Sequence, residues 1–372
     1  MIRMLAPLAV ICSPFVNVDL VGQREGVLTP EKTSFTKCWD SPAAILADAG
    51  IAADHTFGYF AVSEGKVVAL DLASGKAAWT SEIGGNIRSD ITVSDGLVFI
   101  IAFGEDKEPI SSRSPVLRAL SAKTGLPNWS VKLASAQKYF IEPADGGVLV
   151  ISSDGTMFQF ERTDGRIKWK SSASGPVATP PRLNGNRFFV ATIGKVVDEF
   201  ELSDGRRVAS VKTEATPAYV GAGDDSTAVY SDQKGVVYSI KTNGTKNWKF
   251  RAGGRIVFVK PVNENVLLGS ADNFIYFMSV DYGNLLWKRR LPGRIANGEL
   301  IGNNLAIFTV VGENSAYLIE LEKGRLVNQI SLANEDAFLL TPIGANGTHL
   351  LAATQKGISA FSLACSNEKS GK

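Results

Sequence analysis

The chain has 372 residues, of which 45% are hydrophobic and 20% charged, so it can bury a large core and is not a disordered polymer. Its 39 basic and 37 acidic residues nearly cancel, which excludes a dedicated nucleic-acid binder, because such proteins concentrate positive charge to neutralise phosphates. The 36 glycines favour many turns, as in short strands joined by hairpins.

Residues 1–34 are expected to form a signal-like segment outside the folded domain. Arg3 precedes an apolar stretch from Met4 to Val16, which is far shorter than a membrane span and resembles a short secretory signal. We therefore expect export, to the periplasm or to the outer membrane. Lipid attachment at Cys12 is disfavoured, because Ile11 stands where lipoprotein signals have a small residue.

An internal repeat of about 40 residues runs through the rest of the chain. Five phrases such as ALDLASGKAAW end in a tryptophan with a glycine four residues before it, and two further phrases keep the glycine but place Ala209 and Asn328 at the ring position. The tryptophan position of the repeat therefore occurs eight times, at positions 39, 79, 129, 169, 209, 248, 287 and 328, which are here called rungs. The six rung tryptophans are Trp39, Trp79, Trp129, Trp169, Trp248 and Trp287.

Each phrase has the pattern of a β-hairpin, and a second hairpin lies upstream of it. Four strands in about 40 residues make one propeller blade, and such blades stack radially because none buries both faces alone. The sequence therefore predicts an all-β fold, an eight-bladed β-propeller of four-stranded antiparallel blades over residues 35–366, followed by a tail at 367–372.

The two ends of the chain are expected to close the ring together. After Asn328 the chain supplies only three strands, near Phe338–Ile343, His349–Ala353 and Gly357–Leu363. The missing outer strand is Phe35–Asp40, which carries the first rung tryptophan without a hairpin before it. This amino-terminal strand is predicted to complete the last blade and to remove two exposed sheet edges.

Cysteine positions fit this closure. Cys38 lies in the predicted closing strand, and Cys365 directly follows the strand expected to pair with it. A disulfide between them would restrict the unfolded chain by ~4 kcal/mol or more and would require an oxidising compartment. The alternative is two buried thiols whose Cα atoms lie too far apart to be bridged.

Two segments are candidates for partner contact. The first is a polar insertion at 103–115, FGEDKEPISSRSP, which has the composition of a surface loop. The second is a pair of basic connections, WKFRAGGR and WKRRLPGR, which occupy equivalent phases in consecutive blades and should lie side by side on one face. Such a patch attracts an acidic partner or an anion, and the alternative is an ordinary solvated rim. The candidate interaction residues are Arg251, Arg255, Arg289, Arg290 and Arg294, with Arg88 in the equivalent connection IGGNIRSD.

The phrase GKVVALDLASGKAAW, from Gly65 to Trp79, resembles the PQQ-type propeller repeat, and weaker copies extend the resemblance over residues 35–365. Matching prolines at the starts of strands, Pro180, Pro217 and Pro342, belong to the same pattern. In that family the tryptophan docks against the neighbouring blade, which implies this role for the six rung tryptophans.

Two branches of the wider family imply different functions. Quinoprotein dehydrogenases hold pyrroloquinoline quinone (PQQ) and calcium, and many carry an adjacent cysteine pair, which this chain lacks. The chain is more similar to the BamB-like propellers, non-enzymatic envelope proteins that serve the insertion of β-barrels into the bacterial outer membrane. This resemblance implies a monomeric interaction scaffold with protein partners, no cofactor, no nucleic acid and at most peripheral membrane contact. The alternatives are a PQQ-dependent dehydrogenase, a degenerate relative that binds a small ligand in the central funnel, and a carbohydrate- or peptide-binding module.

The residue pattern itself offers little catalytic chemistry. Many acidic and amide side chains precede a glycine in a hairpin, where they satisfy turn backbone; these are Asp95, Asp154, Asp164, Asp204 and Asn243. The only two histidines, His55 and His349, lie in strand-like segments and are too few for a multi-histidine metal site. No catalytic residue and no metal ligand is therefore predicted.

Overall fold

A computed structural model shows how the repeats assemble. It describes residues 36–42, 50–87, 89–104, 114–222, 227–241, 243–313, 315–331, 339–343, 349–354 and 357–362. Within these residues all regular secondary structure is β-strand, in eight antiparallel sheets. The chain is an eight-bladed β-propeller, as the repeat predicts. The signal-like segment, Cys12, Arg88, most of the polar insertion and Cys365 lie outside the described residues.

Seven blades have four strands and blade 2 has five, because two short strands take the place of its first strand. The strands are called first to fourth from the channel outward, and this order follows the chain in all blades except the last. The strand β1 (Thr36–Pro42) belongs to the last blade. Blade 1 contains β2 (Ile51–Ala53), β3 (Phe57–Val62), β4 (Lys66–Asp71) and β5 (Ala77–Glu82). Blade 2 contains β6 (Asn86–Ile87), β7 (Thr92–Ser94), β8 (Leu97–Phe103), β9 (Val116–Ser121) and β10 (Pro127–Lys132), and both β6 and β7 pair with β8. Blade 3 contains β11 (Tyr139–Ala144), β12 (Gly147–Ser152), β13 (Thr156–Glu161) and β14 (Ile167–Ser172).

The remaining blades repeat this order. Blade 4 contains β15 (Arg182–Asn184), β16 (Arg187–Thr192), β17 (Val196–Glu201) and β18 (Arg207–Lys212). Blade 5 contains β19 (Pro217–Ala222), β20 (Thr227–Asp232), β21 (Val236–Lys241) and β22 (Lys246–Arg251). Blade 6 contains β23 (Ile256–Val262), β24 (Asn265–Ser270), β25 (Phe274–Ser279) and β26 (Leu285–Arg290). Blade 7 contains β27 (Ile295–Ile301), β28 (Leu305–Val310), β29 (Ser315–Glu320) and β30 (Leu326–Ser331). Blade 8 contains β31 (Leu339–Ile343), β32 (His349–Thr354), β33 (Gly357–Ser362) and β1.

The hydrophobic core lies between neighbouring blades. The second strands β8, β12 and β20 are buried along their whole length, because a neighbouring blade covers each face of the sheet. One cluster packs Tyr59 of blade 1 against Val98 and Ile100 of blade 2. The fourth strands, in contrast, alternate between exposed and partly buried residues, which is typical of a sheet edge with one packed face.

The amino-terminal strand closes the ring, as predicted. Strand β1 pairs antiparallel with β33, with Thr36 opposite Ser362 and Pro42 opposite Gly357. The Ser359 hydroxyl donates to Asp40 Oδ1 at 2.6 Å, which adds a side-chain bond to the ladder. Cys38 in β1 is disulfide-bonded.

Candidate interaction face

The rung tryptophans join each blade to the next. Each indole N–H donates to a backbone carbonyl in the turn between the third and fourth strands of the following blade. The donor and acceptor pairs are Trp39–Leu72, Trp79–Ala122, Trp129–Arg162, Trp169–Leu202, Trp248–Val280 and Trp287–Leu321.

The repeated glycine is the surface on which each ring lies. A Cβ added to any of six turn glycines would stand 2.4–2.6 Å from an atom of the docked indole, and each of these glycines has a positive φ. An L-residue with a side chain fits neither the space nor the backbone conformation. The six are Gly75, Gly125, Gly165, Gly205, Gly283 and Gly324. The glycine and the tryptophan of the repeat are therefore two halves of one contact, made between neighbouring blades.

The two repeats that have no tryptophan also lack, in the following blade, the five-residue turn on which its indole would lie. Between β21 and β22 the turn has four residues, whereas five residues separate the third and fourth strands of blades 1–4, 6 and 7. Ala209 faces this shorter turn. Asn328 faces blade 8, whose fourth strand comes from the other end of the chain, so no hairpin turn connects it to β33. The tryptophan is thus missing where the turn that would hold it is altered or absent.

Four of the predicted basic residues lie on one face of the ring. In an antiparallel blade, the turn between the second and third strands and the connection to the next blade emerge on the same face. Arg251 and Arg290 end β22 and β26, and Arg255 and Arg294 directly precede β23 and β27, all exposed. The guanidinium groups of Arg255 and Arg294 have no partner in the part of the chain that the structure describes. We call this surface the basic face.

Arg289 has a different environment from the other predicted basic residues. Its Nε donates to the carbonyl of Gly324 at 2.7 Å, and the side chain is partly buried. Alternate residues of a fourth strand point toward the next blade, so Arg289 packs at the junction of blades 6 and 7 while Arg290 points outward. Arg88 lies outside the described residues.

The structure also places two lysines on this face that the equivalent spacing of the connections did not predict. Lys195 and Lys234 lie in the turns between second and third strands of blades 4 and 5, on the same face. Together with Lys249 and Arg251 they line a cleft of about 580 Å³ between these blades. Glu214 is a carboxylate in this cleft, and ion pairs with Lys246 (2.7 Å) and Lys249 (3.2 Å) lower its pKa. Both lysines could have been predicted from the sequence, because turns between second and third strands lie on this face.

The central channel carries charges of both signs. Burial raises the pKa of Glu142 on β11 to about 7, although part of its surface opens to the channel. Arg182 and Lys260 on other blades oppose this shift, and Asp90 adds to it. Lys260 also pairs with Glu299 at 2.8 Å, so neighbouring cations accompany the channel carboxylates.

A quinone and calcium site does not fit these residues. Calcium is held by several converging oxygen ligands, mostly carboxylates. Within the described ranges no group of three or more His, Cys, Asp or Glu side chains could hold a metal ion. The turn carboxylates and amides bind local backbone instead: Asp164, Asp204 and Asn243 each accept a hydrogen bond from the N–H two residues later.

No helix long and apolar enough to cross a membrane occurs among the described residues.

Comparison with known proteins gives one consistent family. The family model described as outer membrane protein assembly factor BamB matches residues 31–141, 113–233 and 197–368. The chain is 25% identical over 337 residues to the outer membrane protein assembly factor BamB of Yersinia pestis, covering 80% of each chain. It is also 25% identical over 356 residues to the protein of that name from Escherichia coli, covering 74% of this chain and 86% of that one. The crystal structure of BamB from Moraxella catarrhalis has the same fold, with a TM-score of 0.64 at 17% identity, covering 88% of this chain and all of that one.

Proposed function

The chain belongs to the family of the outer membrane protein assembly factor BamB, and from this we propose that it is a non-enzymatic, protein-interaction propeller of the cell envelope that serves the assembly of outer-membrane proteins. Its relatives in Yersinia pestis and Escherichia coli carry that role in their names. The match extends over most of both chains, so it concerns the whole ring rather than one shared blade.

One structural observation carries the proposal, the basic face. The repeat brings the exposed guanidinium groups of Arg251, Arg255, Arg290 and Arg294 to one side of a rigid ring. Residues presented by loops on a rigid scaffold are well placed for binding. A basic surface of this kind steers an acidic partner surface toward it and sets the orientation of the encounter. We propose that a protein partner docks here and that the propeller acts as a monomer without a cofactor.

The cysteine chemistry supports an oxidising compartment. Disulfides form and persist in oxidising compartments such as the bacterial periplasm. The disulfide at Cys38 therefore supports export, and we propose a location in the periplasm or at the outer membrane.

The test is charge reversal on the basic face. Arg255→Glu/Arg294→Glu removes two unpartnered cations and adds two anions, without changing a described side-chain contact. The matched control is Lys76→Glu/Lys123→Glu, which makes the same charge change in exposed turns on the opposite face of the ring. Each tagged variant would be exported in the source bacterium, and proteins captured from solubilised envelopes would be identified and quantified.

We expect components of the β-barrel insertion machinery to be captured by the unmodified protein and by the control. Capture by Arg255→Glu/Arg294→Glu should fall by at least about tenfold, because like charges placed across an interface cost several kcal/mol. Capture should also weaken as salt rises. If none of these components is captured, the assembly role is wrong. If capture is unaffected by the reversal, the basic face is not the docking surface.

A further inference from the structure

The junction between blades 4 and 5 is built differently from the other junctions of two hairpin-closed blades in the described ring. Ala209 stands at the ring position, and Gly244 is the turn glycine that faces it. A Cβ added to Gly244 would meet no atom within 4 Å, whereas the six equivalent glycines are covered by an indole. The space that a tryptophan fills elsewhere is therefore open to the outside here.

A buried carboxylate stands at the ladder position paired with Ala209. The residues paired with the six rung tryptophans are all uncharged; they are Ala69, Ala119, Gln159, Ser239, Phe277 and Ala360. Ala209 is paired with Glu199 instead. Glu199 is 1% exposed, and its Oε1 accepts from Arg187 Nη1. Its Oε2 has no hydrogen-bond partner among the described residues. A buried acceptor without a donor is unfavourable, so this oxygen favours a ligand that brings an N–H or O–H group.

A cleft adjoins this carboxylate. Glu199, Ala209 and Ile240 line a small cavity, and Ile240 also lines a cleft of about 190 Å³ between the fourth strands β18 and β22. The stacked rings of Tyr230 and Tyr238, 4.7 Å apart, line the same cleft. The wall of the cleft therefore includes aromatic and aliphatic groups, and Glu199 lines the small cavity that adjoins the cleft at Ile240.

The rim of the cleft is positively charged. Lys212, Lys246 and Lys249 line it together with Glu214. Glu214 pairs with Lys246 and Lys249, while Lys212 has no partner in the described part of the chain. Three cations against one carboxylate complement an acidic segment.

We propose that this cleft binds an extended acidic segment of a partner protein through a tryptophan side chain, which enters the junction that an intramolecular indole fills at six other positions and directs its N–H to Glu199 rather than to a turn carbonyl. The indole N–H provides the donor that Glu199 Oε2 lacks, the tyrosines and Ile240 contact its ring, and Lys212 with its neighbours binds the flanking carboxylates. Strand β22 is six residues long, and a segment of similar length would follow it. The inference rests on the proposed role as an interaction propeller, but it uses the outer rim, which shares Lys249 and Glu214 with the neighbouring cleft and contains none of the four arginines of the basic face.

The experiment measures fluorescence anisotropy with three labelled peptides. The first has the sequence Ser-Asp-Asp-Trp-Asp-Asp-Ser, the second has alanine in place of tryptophan, and the third has lysines in place of the aspartates. The unmodified protein should bind the first peptide at least tenfold more tightly than either of the others, which corresponds to about 1.4 kcal/mol.

Variants of the protein distinguish binding in the cleft from non-specific binding. Ala209→Trp fills the space from within, and Lys212→Glu reverses the free charge at the rim; each should weaken binding of the first peptide at least tenfold. The matched control is Lys132→Glu, which occupies the equivalent position on β10, where Trp129 fills the junction. This control should bind like the unmodified protein. If Ala209→Trp does not fold, Lys212→Glu, which is exposed, carries the comparison.

Equal affinity for the tryptophan and alanine peptides, or full affinity in Ala209→Trp or in Lys212→Glu, would overturn the inference. So would failure of the unmodified protein to bind any peptide, while envelope capture through the basic face would still stand. Conversely, Arg255→Glu/Arg294→Glu should keep peptide binding, so loss of capture with retained peptide binding identifies two separate surfaces.

Discussion

At the scale of single residues, the contact between the turn glycine and the indole that covers it has two requirements. The backbone must adopt a positive φ, and no side chain may occupy the space of the ring. Gly205 has φ of +68°, and an added Cβ would lie 2.4 Å from Trp169. Gly244 has φ of +89° but no neighbour in that direction. The two positions therefore separate backbone strain from steric overlap.

Gly205→Ala should lower the free energy of unfolding by about 3 kcal/mol, since it combines left-handed strain with overpacking against the ring. Gly244→Ala should lower it by only about 1 kcal/mol, from strain alone. Urea denaturation followed by tryptophan fluorescence measures both. Equal losses in the two variants would show that the indole contact contributes little at the blade 3–4 junction.

Glu142 links stability to pH. Its pKa rises from 4.5 to about 7 on folding, mainly through burial. The folded state therefore holds a proton that the unfolded state has released between these values, and stability present below pH 4.5 is lost as the pH rises through 7. Glu142→Gln resembles the protonated form, so its stability relative to the unmodified protein should increase by about 3 kcal/mol between pH 4.5 and pH 8.

The measurement is urea denaturation of both proteins at the two pH values. Glu264→Gln, at an exposed turn of blade 6, is the control and should show no such change. A pH-independent difference between Glu142→Gln and the unmodified protein would mean that the channel hydrates this carboxyl in the folded state.

At the scale of elements, the fourth strand of blade 8 differs from its seven counterparts because no turn ties it to its own sheet. Strand β1 is held by its ladder to β33, by the docking of Trp39 on blade 1 and by the disulfide at Cys38. A covalent link is most effective where it closes a long loop, because it restricts the unfolded chain most.

We predict that Cys38 is linked to Cys365, and that Cys365→Ser lowers the free energy of unfolding by about 4 kcal/mol. Peptide mapping without reductant would identify the linked pair, and denaturation with and without reductant would measure its contribution. Cys12→Ser should leave both results unchanged. A Cys12–Cys38 peptide would refute the pairing.

Strand β17 shows how an acidic side chain can be buried between two blades. Asp198 on β17 is fully buried, which the hydrophobic pattern of the strand does not predict. Its carboxylate accepts hydrogen bonds from the backbone and hydroxyl of Ser174, in the connection between blades 3 and 4, and from the Ser210 hydroxyl, while Arg207 lies 3.8 Å away. Burial of this carboxylate is possible because four polar groups from two segments surround it.

At the scale of the whole molecule, the periodicity of glycine and tryptophan was enough to predict the number of blades and the closing strand. Each repeat has the same phase, so counting rungs counts blades. The sequence also suggested why one face is basic, since Arg255 and Arg294 occupy equivalent connections.

The details of the candidate surfaces could not be predicted in the same way. Phase alone does not show that Arg289 points into a junction while Arg290 points outward, because adjacent strand residues alternate in direction. Likewise, the sequence shows that Ala209 occupies a position where the repeat usually has tryptophan. The meaning of this difference depends on the shorter turn and on Glu199, which only three-dimensional packing brings together.

Ring closure has a consequence for the order of folding. Thr36 of β1 meets Ser362 across 326 positions of sequence, so the first strand to be made has no partner until nearly the last residue is available. Blades 1–7 can form from local hairpins as the chain emerges, whereas the final blade cannot. Contacts this distant in sequence form slowly, and unpaired edges invite aggregation meanwhile. Under the proposed export, a chain that emerges unfolded and amino terminus first would pass through an open, seven-bladed arc in which β1 stays unpaired until β33 emerges.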